Sequence, residues 1–207
     1  GGDGGSGLLV NGQAADGPMV EVLDGGQDQD PLALTAASGR DVDITLTTLG
    51  VPLVAAPAGG TGYSIERRYY SMEGEALVPD QFTVGDRFVT VLRVVPFEPA
   101  GARLMINDPL PAGLAIANPS LLRSGDVRGL DWLTLSEARH AEFRADRFLA
   151  AVDLRRGRDG EAGAPVTLAY VARAVTPGLF HHPAASVEDM YRPAYRARTA
   201  TGRVQVR

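Results

Sequence analysis

The side chains with the means for catalysis or metal binding are few: His140, His181, His182 and a scatter of carboxylates, with no cysteine anywhere in the 207 residues. Two adjacent histidines on extended backbone point to opposite faces, so His181 and His182 are poor co-ligands for one metal, and no third ligand stands at a zinc spacing. Glu188 and Asp189 are also adjacent. Acid–base catalysis needs two carboxylates facing one substrate, whereas neighbours of this kind form a solvated face or a local cap. No G-x-S-x-G, P-loop or H-E-x-x-H is present, and Gly59-Gly60-Thr61-Gly62 lacks the lysine and helix of a phosphate loop. The residues call for no enzyme, cofactor or metal.

The same region offers contact instead. From Tyr170 to Arg198 an apolar run breaks into a long, side-chain-rich loop. Thr176-Pro177-Gly178 is turn punctuation, and His182-Pro183 and Arg192-Pro193 fix two extended kinks. Between them Glu188 and Asp189 read as an exposed acidic pair, followed by two large side chains, Met190 and Tyr191. These two either touch a partner or fill a groove against their own domain, and Glu188 and Arg192 then anchor the loop.

Short apolar segments separated by Gly, Pro and Asp turns must position this loop, which is an all-β layout. Leu8–Val10, Met19–Leu23, Pro31–Leu34 and Val42–Thr47 read as strands of a first unit. Tyr63–Tyr70, Asp86–Val95, Arg103–Asp108, Phe148–Leu154, Val166–Ala174 and Thr201–Val206 form a second, spaced as in an immunoglobulin-like sandwich without its disulfide. A short helix is expected near Leu133–His140. The boundary is placed near Gly60, within the small-residue connector Val54–Gly62 that leads into Tyr63. About 55 residues bury only a marginal core, so the first unit reads as part of a domain.

Charge supports two units. Residues 1–62 carry net −7 and residues 63–207 net +2, giving −5 overall, and all 20 basic residues are arginine. A nearly neutral second unit lacks the cationic stripe of a nucleic-acid surface. No segment has the roughly 18 apolar residues of a membrane helix, and the Gly-rich start reads as a linker or tag remnant of an excised fragment.

Two further patterns are structural. In Asp108-Pro109-Leu110-Pro111-Ala112-Gly113-Leu114, Pro111 and Gly113 set a corner between sheets or a plain turn. In Arg144-Ala145-Asp146-Arg147, an Arg–carboxylate contact either pins the preceding loop or is a solvated charge run.

Taken together, Asp108–Leu114 with Ala117-Asn118-Pro119, Arg144–Ala151, and Y-V-x-R-A-V-T-P-G-x-F continuing to V-E-D-M-Y-R-P over Tyr170–Pro193 resemble the C-terminal macroglobulin-like domain of bacterial alpha-2-macroglobulins. Asn107, Pro109 and Ala145 depart from the family pattern. The resemblance implies a linker at 1–7, a partial CUB-like β unit at 8–60 and a macroglobulin-like β-sandwich at 61–207. It also implies a periplasmic parent, lipid-anchored to the inner membrane, that traps target proteases after bait cleavage and captures them through a thioester. A peptidoglycan-synthesising penicillin-binding protein is an implied neighbour. This domain would pack on the parent's thioester domain and shield the bond, with Met190 and Tyr191 at the contact and Arg144 and Asp146 as internal pins. A different reading is an immunoglobulin-like adhesin, stacking sugars on Trp132, Tyr69, Tyr70 or Tyr195, or a spacer of the envelope.

Overall fold

A computed structural model describes residues 8–15, 32–36, 45, 57–117 and 133–207. The chain divides into two compact units, Gly1–Val51 and Pro52–Arg207. In the first, β1 (Leu8–Val10) pairs antiparallel with β2 (Gln13–Ala15) and β3 (Leu34–Ala36). The β1–β2 turn is Asn11-Gly12, both at positive φ, the dipeptide that a two-residue hairpin favours. Asn11 Oδ1 accepts from the Ala33 amide at 2.9 Å, tying the turn to β3. The strand expected at Pro31–Leu34 lies instead at Leu34–Ala36, and those at Met19–Leu23 and, Thr45 aside, Val42–Thr47 lie outside the described residues.

The second unit begins its strands at β4 (Gly59–Thr61) and β5 (Tyr63–Ser71), followed by β6 (Ala76–Leu77), β7 (Arg87–Pro96), β8 (Ala102–Pro109) and β9 (Leu114–Ile116). After residue 133 come β10 (His140–Phe143), β11 (Arg147–Leu154), β12 (Val166–Ala174), β13 (Gly178–His182), β14 (Ser186–Asp189), β15 (Arg196–Arg198) and β16 (Gly202–Val206). A six-stranded sheet runs β10-β11-β8-β14-β15-β4, a five-stranded sheet β6-β5-β7-β12-β9, and β13-β16 form a separate ribbon. Gly59–Thr61, part of the connector in the sequence, is thus an edge strand beside Arg196–Arg198.

Alternation explains the two layers. In β11, Phe148, Ala150, Val152 and Leu154 are buried while their neighbours are half-exposed, and in β8 Leu104, Ile106 and Asp108 point inward. Facing them are Ile65, Phe88, Leu92, Val94, Leu168 and Tyr170 of the other sheet, forming one core. Phe82 stacks on Phe88 at 4.1 Å, with the Tyr69 ring edge-on to both. β7 is apolar on both faces because Val89 and Val91, with Val171, form a second cluster on the outer side of the sheet, against which Tyr70, Met72, Ala117 and Leu133 pack. This is an all-β sandwich with no helix among the described residues.

Two sequence expectations change. Leu133–Ala138 is irregular rather than helical, and His140 opens an edge strand. The Ser136 amide donates to Thr167 O and the Arg139 amide to Ala151 O, so the segment spans from one sheet to the other, and tertiary bonding overrides a weak local helix pattern. The Tyr170–Arg198 stretch is mostly strand, with β13 paired to β16 and β14 inserted between β8 and β15.

A polar clasp crosses the core. Arg67, on β5, donates to Asp108 Oδ1 at 2.5 Å and to Pro183 O at 2.9 Å, and Tyr170 donates to Asp108 Oδ2 at 2.7 Å. Burial raises the Asp108 carboxyl above its ordinary value, with Arg67 and Tyr170 opposing the shift. A buried pair of this kind contributes more to the register of the two sheets than to net stability, since desolvation offsets most of the attraction.

Candidate functional site

The β14–β15 hairpin ends in a tip, residues 190–195, built around a buried carboxylate. Asp189 is 1% exposed, so the acidic pair expected on the surface is split: Glu188 faces solvent and Asp189 turns inward. Strand alternation forces that split. Asp189 Oδ1 accepts from the Tyr191 amide at 3.0 Å, closing a side-chain-capped turn, and Oδ2 accepts from Arg192 Nε at 2.8 Å. The Tyr63 hydroxyl reaches the same oxygen at 3.5 Å. Burial pushes the Asp189 carboxyl upward, but the Tyr191 amide and the Arg192 guanidinium outweigh it and hold the group below its ordinary value. Tyr63 is raised by burial and by Asp189.

The tip is braced from both sides. The Met190 amide donates to Arg103 O of β8, the Asp189 amide to Tyr195 O, and the Arg192 amide to Asp189 O. The Arg192 guanidinium lies 4.4 Å above the Tyr195 ring, and the ring also packs closely on Gly62. Gly62 has φ +78°, and a Cβ there would stand 2.2 Å from the Tyr195 ring, so both the backbone and the space require glycine.

This frame presents Met190, 48% exposed, and Tyr191, 74% exposed. Both side chains are exposed in this chain. Two large contact side chains are held outward on a hydrogen-bonded turn. Asp189 thus accepts from three donors, the Tyr191 amide, the Arg192 guanidinium and the Tyr63 hydroxyl.

The other singled-out residues lie elsewhere. Pro111 and Gly113 are buried at the β8–β9 corner, where the Leu114 amide donates to Pro111 O and the Val175 amide to Gly113 O. A Cβ on Gly113 would meet the Phe180 ring at 2.3 Å. Arg144 and Asp146 do not pair with each other. Arg144 bonds Glu142 and Asp146 bonds Arg147, each at 2.7 Å on the surface, while the Asp146 carbonyl accepts from the Leu110 amide and so ties the β10–β11 turn to the corner. His181 is exposed and His182 buried, on opposite faces of β13. No group of three or more metal-ligating side chains occurs among the described residues. Tyr69 is core, Tyr70 and Tyr195 are half-buried, and Trp132 lies outside the described residues, so no open aromatic platform for sugar is formed by these tyrosines. The sequence did not mark Tyr63 or Gly62 as part of this tip, and it read Asp189 as solvated and Tyr195 as a sugar-stacking candidate. The available signal was the Asp189-x-x-Arg192-Pro193 spacing, an Asx-turn pattern.

Residues 62–194 match the family model described as the Bacterial Alpha-2-macroglobulin MG10 domain. The chain belongs to the bacterial alpha-2-macroglobulin family. Alpha-2-macroglobulin of Xylella fastidiosa (strain Temecula1) is 35% identical over 166 residues, covering 75% of this chain and 9% of that protein. The Escherichia coli K12 protein is 34% identical over 175 residues, covering 80% and 10%. Among solved structures, a mutant of Salmonella alpha-2-macroglobulin and the native conformation of the E. coli protein each align with TM-score 0.65 at 33% identity, over 76% of this chain and 10% of theirs. The chain thus spans about a tenth of the length of these relatives, and its sandwich is a macroglobulin domain.

Proposed function

We propose that this chain is the C-terminal part of a bacterial alpha-2-macroglobulin that inhibits proteases by trapping them, and that its macroglobulin domain covers a thioester in the parent through Met190 and Tyr191. The observation that carries the reading is the outward display of those two side chains on a turn that Asp189 caps through hydrogen bonds. A thioester hydrolyses once water reaches its carbonyl, so its cover must be apolar, adaptable and able to leave. Methionine is soft and unbranched, and tyrosine adds area with a polar tip. The histories of relatives agree: a Salmonella alpha-2-macroglobulin has been solved after reaction with methylamine, and E. coli alpha-2-macroglobulin after activation by elastase and by trypsin.

On this reading the chain is no enzyme, its partners are the parent's thioester domain and, through the parent, target proteases, and it works in the periplasm on a lipid-anchored parent. Residues 8–60 complete a CUB-like sandwich with a segment elsewhere in the parent. A penicillin-binding protein that synthesises peptidoglycan is the neighbour this reading assigns. The test replaces Met190 or Tyr191 by Gly in the parent and follows thiol release with methylamine. The wild type should stay inert until protease cleavage, and the variants should release thiol without it. Equal inertness of all three would overturn the shielding role.

A further inference from the structure

A second feature lies at the other end of β5, on the order of 20 Å along the strand from Tyr63. An open cavity of about 480 Å³ there has Arg67, Arg68, Leu77, Pro79, His182 and Arg203 among its lining residues. Three arginines enter its wall and no carboxylate does. Each arginine is placed differently. Arg67 is deeply buried, with its charge matched by Asp108 behind the wall. Arg68 is exposed, hydrogen-bonded to Tyr70 and in contact with Glu66 at 2.9 Å, surface interactions weak enough for a ligand to displace. Arg203, exposed on β16, has no ion pair among the described residues.

The remaining surfaces complete a recognisable chemistry. Ala76, Leu77, Pro79 and Ala200 supply an apolar side, while the Tyr69 hydroxyl and the His182 ring, 3.1 Å apart, form a polar back. Gly202 has nothing within 4 Å of the place a Cβ would take, so the cavity is open at that residue. Guanidinium groups favour carboxylate and phosphate through paired, charge-assisted hydrogen bonds. A cavity of this size is in the range of small-ligand sites.

We propose that this cavity binds an oxyanion carried on a small apolar body, with Arg203 and Arg68 gripping the anion and Leu77 and Pro79 receiving the body. The site is independent of the Met190–Tyr191 contact. Both gripping arginines are exposed, so their replacement leaves the core intact.

Binding to the 207-residue chain is followed by NMR with three probes: acetyl-leucine, acetyl-leucinamide and inorganic phosphate. Acetyl-leucine should give saturable shifts at Leu77 and Thr199–Arg203, acetyl-leucinamide none, and Arg68→Gln/Arg203→Gln should weaken binding by roughly tenfold or more at unchanged Tm. Competition by phosphate would mark the anion as the shared determinant. Phosphate without effect beside bound acetyl-leucine would assign the site to carboxylates. No saturation by either anion, equal binding of the amide, phosphate binding alone, or an unaffected double variant would each overturn the proposal.

Discussion

His182 should make this protein acid-sensitive, and the size of the effect follows from its surroundings. The ring is 5% exposed, sits within 3.1 Å of the Tyr69 hydroxyl and lies near the Arg67 guanidinium. Burial, then Arg67 and His181, pull its pKa from 6.5 down to about 3. The unfolded chain takes up a proton near the ordinary value, while the native ring stays neutral. The stability contributed is therefore complete above about pH 6.5 and is lost progressively as the pH falls toward 3. At ~1.36 kcal/mol per unit the ceiling is roughly 4–5 kcal/mol, of which about 2 kcal/mol is lost between pH 7.5 and pH 5.

Asp108 acts with the opposite sign, because its raised carboxyl holds a proton longer in the native state and gains stability as the pH falls. Comparing wild type with His182→Gln removes that contribution, since the amide keeps a partner for Tyr69 but does not titrate. Urea unfolding of both chains at pH 7.5, 6 and 5, followed by circular dichroism, is the assay. Wild type should lose about 2 kcal/mol more than the variant over that range. Parallel losses would refute the placement of a neutral, buried His182 beside Arg67.

Asp108→Ala leaves the Arg67 guanidinium and the Tyr170 hydroxyl buried without their acceptor and should cost about 3–5 kcal/mol in urea unfolding, whereas Asp146→Ala, on the surface, should cost less than about 0.5 kcal/mol. Gly113→Ala drives a methyl into the Phe180 ring and should lower stability by about 1–3 kcal/mol, with Phe180→Leu recovering part of the loss. Asp189→Ala should loosen the tip without unfolding the sandwich, read as faster amide exchange at Tyr191 and Arg192 while β8 and β11 stay protected.

What the sequence revealed and what it hid divide along physical lines. Strands such as Val166–Ala174 and Phe148–Leu154 were legible because each is long enough for alternation or an apolar run to show, and each is buried by both neighbours. Ala76–Leu77, Leu114–Ile116 and Arg196–Arg198 carry two or three residues apiece and exist through pairing with longer strands, a property of the fold and not of their own pattern. Leu133–His140 misled because its apolar spacing suits a helix, while its amide groups are claimed by β11 and β12. At the site, Met190 and Tyr191 stood out by size and by their flanking prolines. Asp189 did not, because a carboxylate in a polar stretch reads as solvated until a strand is known to turn it inward.

Met190 and Tyr191 are open in this chain and, on the proposed function, covered in the intact parent. Hydroxyl-radical footprinting with mass spectrometry, applied to the 207-residue chain, the intact parent and the protease-cleaved parent, measures that directly. Rapid oxidation of Met190 and Tyr191 is expected in the isolated chain, with strong protection in the intact parent and renewed oxidation after cleavage. Equal oxidation of both residues in the isolated chain and the intact parent would contradict the proposed shielding.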